Sequence, residues 1–474
     1  MWRRCATAIL LINTRALVVA DQPTSATIEV TAADGPTVAQ PACCAAFGTA
    51  ASAYQNCGGT RISGLPFARR SPVLSRRGQV ASAHPLASDA GLDILKAGGN
   101  AVDAAIATNA VLAVLEPMMN GPGGDIMALV WWQANRSLVG YNGAGRSSMN
   151  FTHSQMAAEL SRLGLDYIPE TGPLAVTVPG APRGWCDLST RFGKLPLATV
   201  LAPAIAYAVG GAPVPQVIAS EWVLIANTSN VTSGGLFPQA LDGFDATFTR
   251  NDGNGGRSSP AAGDIFTNPA LANTLRAIAT EGCAAYYEGG PVRDAILALA
   301  ETAGLHLTAE DLATHAGSWV EPINTTYRDR YTVAELPPNP HGIAAIEMLN
   351  ILEGFNLTAL GHNSAEYLHL QVEAKKLAFV DAAAYVADPD VVPVPVTGLA
   401  AKAYAASRRA LINGTAALVD SPGVPESDDE LLMRQSMEAR YAGDTTYLTA
   451  ADADGNMVSL IQSLYTGKVP LTGR

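Results

Sequence analysis

Gly443-Asp-Thr-Thr-Tyr-Leu-Thr-Ala-Ala-Asp-Ala-Asp-Gly-Asn-Met-Val-Ser-Leu-Ile-Gln-Ser-Leu-Tyr465 carries the clearest local pattern in the chain. Two runs rich in Thr, Tyr, Val, Ile and Leu flank Asp452 to Asn456, a polar turn containing Gly455, and this pattern predicts a β-hairpin. With that loop, Ala451 faces Met457 and Thr445 faces Ser463, so two hydroxyls meet across the ladder. A hydroxyl at the first residue of a strand is ordinary by itself, and an edge threonine is its plain structural reading.

The segment Gly443-Asp-Thr-Thr-Tyr-Leu448, followed by Asp452-x-x-Gly-Asn-x-Val-Ser-Leu-Ile-Gln-Ser463, resembles the processing site of the γ-glutamyltransferase family. Members of that family are N-terminal-nucleophile (Ntn) hydrolases. The resemblance implies that Thr445 attacks the peptide bond after Asp444 and that the chain divides into a large and a small subunit, forming a heterodimer. The freed Thr445 then becomes the catalytic nucleophile, oriented by Ser463. A hydroxyl alone is a poor nucleophile, but a new α-amino group with a pKa of about 8 can serve as its general base.

Other blocks extend the resemblance. Pro85-Leu-Ala-Ser, Gly98-Gly-Asn-Ala-Val-Asp-Ala-Ala105 and Glu116-Pro…Gly-Gly-Asp125 are similar to the family's amino-terminal signature. In Gly143-Ala-Gly-Arg-Ser-Ser148, Arg146 occupies the position that in the family binds the α-carboxylate of the γ-glutamyl group. A guanidinium can hold a carboxylate through two parallel hydrogen bonds, whereas a solvated loop arginine is the alternative reading. Tyr465 stands where the glutathione-cleaving members have an Asn that contacts substrate. Tyr there is similar to γ-glutamyltransferase-like acylases, including those acting on glutaryl amides.

The resemblance covers roughly residues 64 to 467 and implies an α/β (α+β) protein, the Ntn four-layer αββα sandwich, incomplete at its carboxyl end. On this reading residues 1–63 are a leader or poorly ordered extension, 64–444 are large-subunit-like, and 445–474 begin a small-subunit-like segment. Beyond Gly467 the resemblance stops, before the part that in the family carries the paired oxyanion glycines. Such donors supply several kcal/mol of transition-state stabilisation. The expectation is that the chain as written is a poor enzyme or none, with the family activity belonging to a longer form.

Composition narrows the partners. With 42 acidic against 30 basic residues the formal charge is −12, and no basic face is available for a nucleic-acid partner. The partner that the resemblance implies is a small γ-glutamyl compound such as glutathione. No cofactor is expected: the Met118–Asp125 glycine loop lacks the features of a phosphate cradle and reads as a tight turn, and no His-x-x-x-His or Cys-x-x-Cys occurs. Of six cysteines, Cys186 and Cys283 are isolated and read as unpaired. The apolar run Cys5 to Ala20 fits a secretory signal imperfectly, because Arg15 interrupts it. Seven Asn-x-Ser/Thr sites permit a glycosylated secreted protein, with a cytoplasmic one as the alternative.

Three readings of function stand side by side. They are a γ-glutamyl hydrolase or transferase, an Ntn acylase for glutaryl or related dicarboxylic amides, and an inactive homologue acting as a scaffold.

Overall fold

The structure, a computed structural model, describes residues 73–169, 172–229, 246–251, 257–415, 421–427 and 445–464. Its strands are β1 (Gly78–Ser82), β2 (Asp125–Trp132), β3 (Ser137–Gly143), β4 (Ala212–Pro213), β5 (Arg250–Asn251), β6 (Arg257–Ser258), β7 (Ile265–Phe266), β8 (Ser318–Val320), β9 (Ile323–Tyr327), β10 (Tyr331–Glu335), β11 (Thr446–Asp452) and β12 (Met457–Ser463). Six of them form one antiparallel sheet in the order β1-β11-β12-β2-β3-β8. The predicted hairpin is therefore central, inserted between strands that lie hundreds of residues earlier. Its register is the expected one, with Ala451 opposite Met457 and Thr446 opposite Gln462.

One face of this sheet is covered by α2 (Ala101–Leu115), every residue of which is buried. A helix apolar on nearly all sides must lie inside, and its polar side chains find partners there except at the Asn109 amide nitrogen, which has none. Asn100 and Asp103 form a capping box, and the Asp103 carboxylate also accepts from the Lys194 and Leu195 amides. Trp185 Nε1 donates to Asn109 Oδ1 at 2.7 Å. Asp452, in the hairpin turn, accepts from the Ala101 amide at 3.0 Å while its other oxygen takes the Asp454 and Asn456 amides. One carboxylate thus shapes the turn and sits against the positive end of α2.

Ile126, Ala128 and Val130 of β2 are buried toward α2, so Asp125, Met127 and Leu129 face the opposite way. On that second face, Leu336 just past β10 lies against Gly140 of β3. The β9–β10 ribbon packs in turn on helix Gly342–Leu352, which packs on helix Ala365–Tyr385 and shares a separate core containing Ile343, Ile346 and Leu399. Helix, sheet, ribbon and helix follow one another as in an αββα sandwich, with two strands of the second sheet among the described residues.

The first helix, α1 (Pro85–Lys96), begins at Pro85, which suits the first turn, and His84 is the cap, its Nδ1 accepting from the Leu86 amide at 3.2 Å. Cys186 and Cys283 are not unpaired but form a disulfide across 97 residues. Closing a loop of that length stabilises a fold by about 4.7 kcal/mol in the chain-entropy account. On helix Ala365–Tyr385, His369 Nε2 meets the Asn413 carbonyl and Glu373 pairs with Lys376.

Glu116, at the end of α2, is 3% exposed. Burial, reinforced by the charge of Glu221, pushes its carboxyl from 4.5 up to about 7. The folded state holds this proton more tightly than the unfolded one, so the stability it contributes is present below pH 4.5 and is lost as pH rises to about 7. A shift of that size corresponds to about 3 kcal/mol. Glu116→Gln, neutral at every pH, is expected to remove about that much of the decline, measured by urea unfolding across the range. An unchanged decline would mean that other carboxyls carry it.

Candidate active site

The hairpin brings the two sequence-predicted hydroxyls together. Thr445 precedes β11 and is half-buried, and its Oγ1 donates to Ser463 Oγ at 3.0 Å. Their neighbours Thr446 and Gln462 point to the α2 side and are buried, which turns Thr445 and Ser463 to the face shared with the β9–β10 ribbon. Asp444 and Tyr465, the other residues predicted here, lie outside the described residues.

The Met118–Asp125 loop does more than turn the chain. It wraps the end of β12: the Leu464 amide donates to the Met119 carbonyl at 3.1 Å, and the Gln462 side chain donates to the Gly121 carbonyl. A Cβ at Gly124 would collide with the Ser463 carbonyl, so only glycine allows the loop to close on that strand. The glycine pair before β2 is the sequence signal for this contact, and reading it as a bare turn missed its role in fixing Ser463.

Arg146 follows β3 on a loop anchored on both sides. Its carbonyl accepts from the Val178 amide at 2.9 Å, and Ser148 Oγ donates to Asp311 at 2.7 Å. The guanidinium is 57% exposed and pairs with Asp390 at 2.7 Å and Asp388 at 3.6 Å. Those carboxylates come from the Asp388-Pro-Asp390 segment, which sequence reasoning left without a role. Exposed ion pairs of this kind are worth about 0–1 kcal/mol, so an incoming carboxylate can compete for the same guanidinium.

Two carboxyls border this face, and neither was singled out from sequence. Asp125 stands opposite Ser463 in the β12–β2 register, and its Oδ1 accepts from the Gly145 amide at 2.7 Å. Burial pushes it up to about 7 against the opposing effect of that amide. Glu335, at the end of β10, is also pushed to about 7 by burial, and its charge is felt by Tyr447, two residues beyond Thr445. Among the described residues no cluster of His, Cys, Asp and Glu could hold a metal ion, and no helix is long and apolar enough to cross a membrane.

A hydroxyl pair at the mouth of a central hairpin, facing a stacked ribbon and bordered by half-buried carboxyls, agrees with membership of a known family. The Gamma-glutamyltranspeptidase family matches residues 87–468, most of the chain. The chain belongs to the γ-glutamyltranspeptidase family. Its fold is accordingly that of the Ntn hydrolases.

The chain is similar to the Glutathione hydrolase-like YwrD proenzyme of Bacillus subtilis, with 36% identity over 83% of this chain and 68% of that protein. It is also similar to the Acylase ACY 1 proenzyme of Pseudomonas sp. (strain SE83), at 36% identity over 83% of this chain and 66% of the relative. Among solved structures, cephalosporin acylase from Bacillus halodurans superposes with a TM-score of 0.71 at 39% identity, over 87% of this chain and 72% of that one. The chain spans about two thirds of the length of the curated relatives it matches.

Proposed function

We propose that this γ-glutamyltranspeptidase-family chain cleaves itself before Thr445 and that the freed Thr445 then attacks γ-glutamyl amides such as glutathione. The observation that carries the reading is the Thr445–Ser463 hydroxyl pair, in register at the start of the hairpin that matches the family. In the steps proposed, Thr445 Oγ1 adds to the Asp444 carbonyl, the peptide C–N bond breaks, and water hydrolyses the resulting ester. The liberated α-amino group then takes the Thr445 proton when the substrate amide is attacked and delivers it to the leaving amine. Ser463 orients Thr445 in both steps. Large and small subunits remaining together as a heterodimer belong to the same proposal.

A second reading is an acylase for glutaryl or related dicarboxylic amides. It is supported by the acylase relatives, one 36% and one 39% identical to this chain, and it needs the same Thr445 and Arg146. Hydrolysis of γ-glutamyl and glutaryl anilides by the same preparation separates the two. Absence of both activities in folded protein would favour the scaffold homologue instead.

Arg146 is proposed to clamp the carboxylate common to γ-glutamyl and glutaryl groups. Arg146→Lys keeps the charge but loses the planar fork, so KM is expected to rise about tenfold while kcat falls by much less. A variant with unchanged KM would remove Arg146 from the site.

A further inference from the structure

We propose that Asp125 is a positioning residue that holds the Arg146 loop in line with the Thr445–Ser463 pair. The inference rests on the reading of Arg146 as a carboxylate clamp and assigns that clamp its support. Thr445, Ser463 and Asp125 occupy directly opposed places on three successive positions of the sheet, because the β11–β12 register continues to Thr445 and Ser463 while β12–β2 pairs Ser463 with Asp125. Opposed residues share a face, and neighbouring strands lie about 4.8 Å apart, so Asp125 stands about 10 Å from the nucleophile in the same row.

The fourth place in that row belongs to the chain leaving β3. Ile126 pairs with Gly143, which brings Ala144 and Gly145 beside Asp125, and the Gly145 amide donates to Asp125 Oδ1. Arg146 is the next residue. Asp125 thereby fastens the backbone immediately before the clamp to the strand that flanks Ser463.

The packing around this contact leaves the loop little alternative. A Cβ at Gly145 would collide with the Val178 carbonyl, so the loop lies backbone against backbone on the following segment. The Gly180 and Ala181 amides both donate to the Gly124 carbonyl, at 3.0 and 2.8 Å, tying the same segment back to the residue before Asp125. Without the side-chain acceptor, the Gly145 amide loses its partner within this packed region, and the loop must shift to find another. Since burial places the Asp125 carboxyl near 7, a neutral side chain is tolerated there and the acceptor oxygen is the feature that matters.

Asparagine preserves that acceptor and alanine removes it. Glutarate binding to the full chain, measured by calorimetry, is the test, with Asp125→Asn, Asp125→Ala and Arg146→Lys beside the unaltered protein. Asp125→Asn is expected to bind within about twofold of the unaltered chain, and Asp125→Ala and Arg146→Lys each about tenfold more weakly. If Asp125→Ala does not fold, Asp125→Ser, polar but too short to span to Gly145, gives the same comparison.

Normal glutarate binding by Asp125→Ala with weakened binding by Arg146→Lys overturns the inference alone. Weakened binding by Asp125→Asn equal to that of Asp125→Ala also overturns it, because the charge and not the backbone anchor would then be responsible. Normal binding by both Asp125→Ala and Arg146→Lys, or no binding by the unaltered chain, overturns the reading of Arg146 and the inference with it.

Discussion

Thr445→Ala is expected to lower whatever turnover of γ-glutamyl and glutaryl anilides the unaltered protein shows by at least about a thousandfold, and to leave the chain in one piece. Both effects come from one atom. Oγ1 of Thr445 is the nucleophile proposed for the self-cleavage and for the substrate, and alanine supplies no substitute for it. The loss reaches this size because residues acting as a catalytic unit fail together when the attacking atom is gone. Thr445→Ser keeps the oxygen and should retain self-cleavage and a measurable rate, which separates loss of chemistry from loss of fold. Intact mass spectrometry of the unaltered protein is expected to show a fragment beginning at Thr445. Identical full-length masses for the unaltered chain and Thr445→Ala would count against self-cleavage in this chain.

The difference between what was legible in the sequence and what was not follows from the range of each interaction. The hairpin could be read because its alternation, its Asp452–Asn456 turn and its register are all local, and the structure reproduces the pairing residue for residue. The burial of α2 is likewise set by its own residues, since its apolar side chains surround the axis without reference to any partner. Where the hairpin inserts was not legible: the pairing of Ala450 with Val80 and of Val458 with Val130 depends on segments more than three hundred positions away.

Long-range pairing also explains the misread cysteines. Cys186 and Cys283 carry no spacing signature, and only the packing of helix Ala181–Phe192 against the turn that holds Cys283 brings them together. Within the candidate site, Thr445, Ser463 and Arg146 were singled out because they sit in motifs. Asp125 was quoted merely as the end of a glycine loop, and its link to Gly145 exists only once β2 and β3 are side by side. The Asp388 and Asp390 partners of Arg146 were hidden in the same way.

Arg408→Ala is expected to cause the largest loss of stability among single changes away from the hairpin, about 3–5 kcal/mol. Arg408 is 5% exposed and its Nε lies 2.8 Å from a carboxylate oxygen of Asp381, which is fully buried. Asp381 ties the second core together: Tyr404 donates to one oxygen and the Gly423 amide to the other, each at 2.8 Å. Glu347, also buried, shares this environment, and burial followed by the Asp381 charge holds its carboxyl well above the usual range. Arg408 is the cation that offsets the acidic pair. Removing it leaves the Asp381 charge with hydrogen bonds but no counter-charge, and burying an uncompensated charge costs far more than an exposed ion pair returns. Replacing both members, Arg408→Met with Asp381→Asn, should lose less than Arg408→Ala alone, because no unpaired charge remains. Urea unfolding monitored by circular dichroism checks the order of the two. A loss below about 1 kcal/mol for Arg408→Ala would mean that Tyr404 and Gly423 suffice to hold the Asp381 charge in that core.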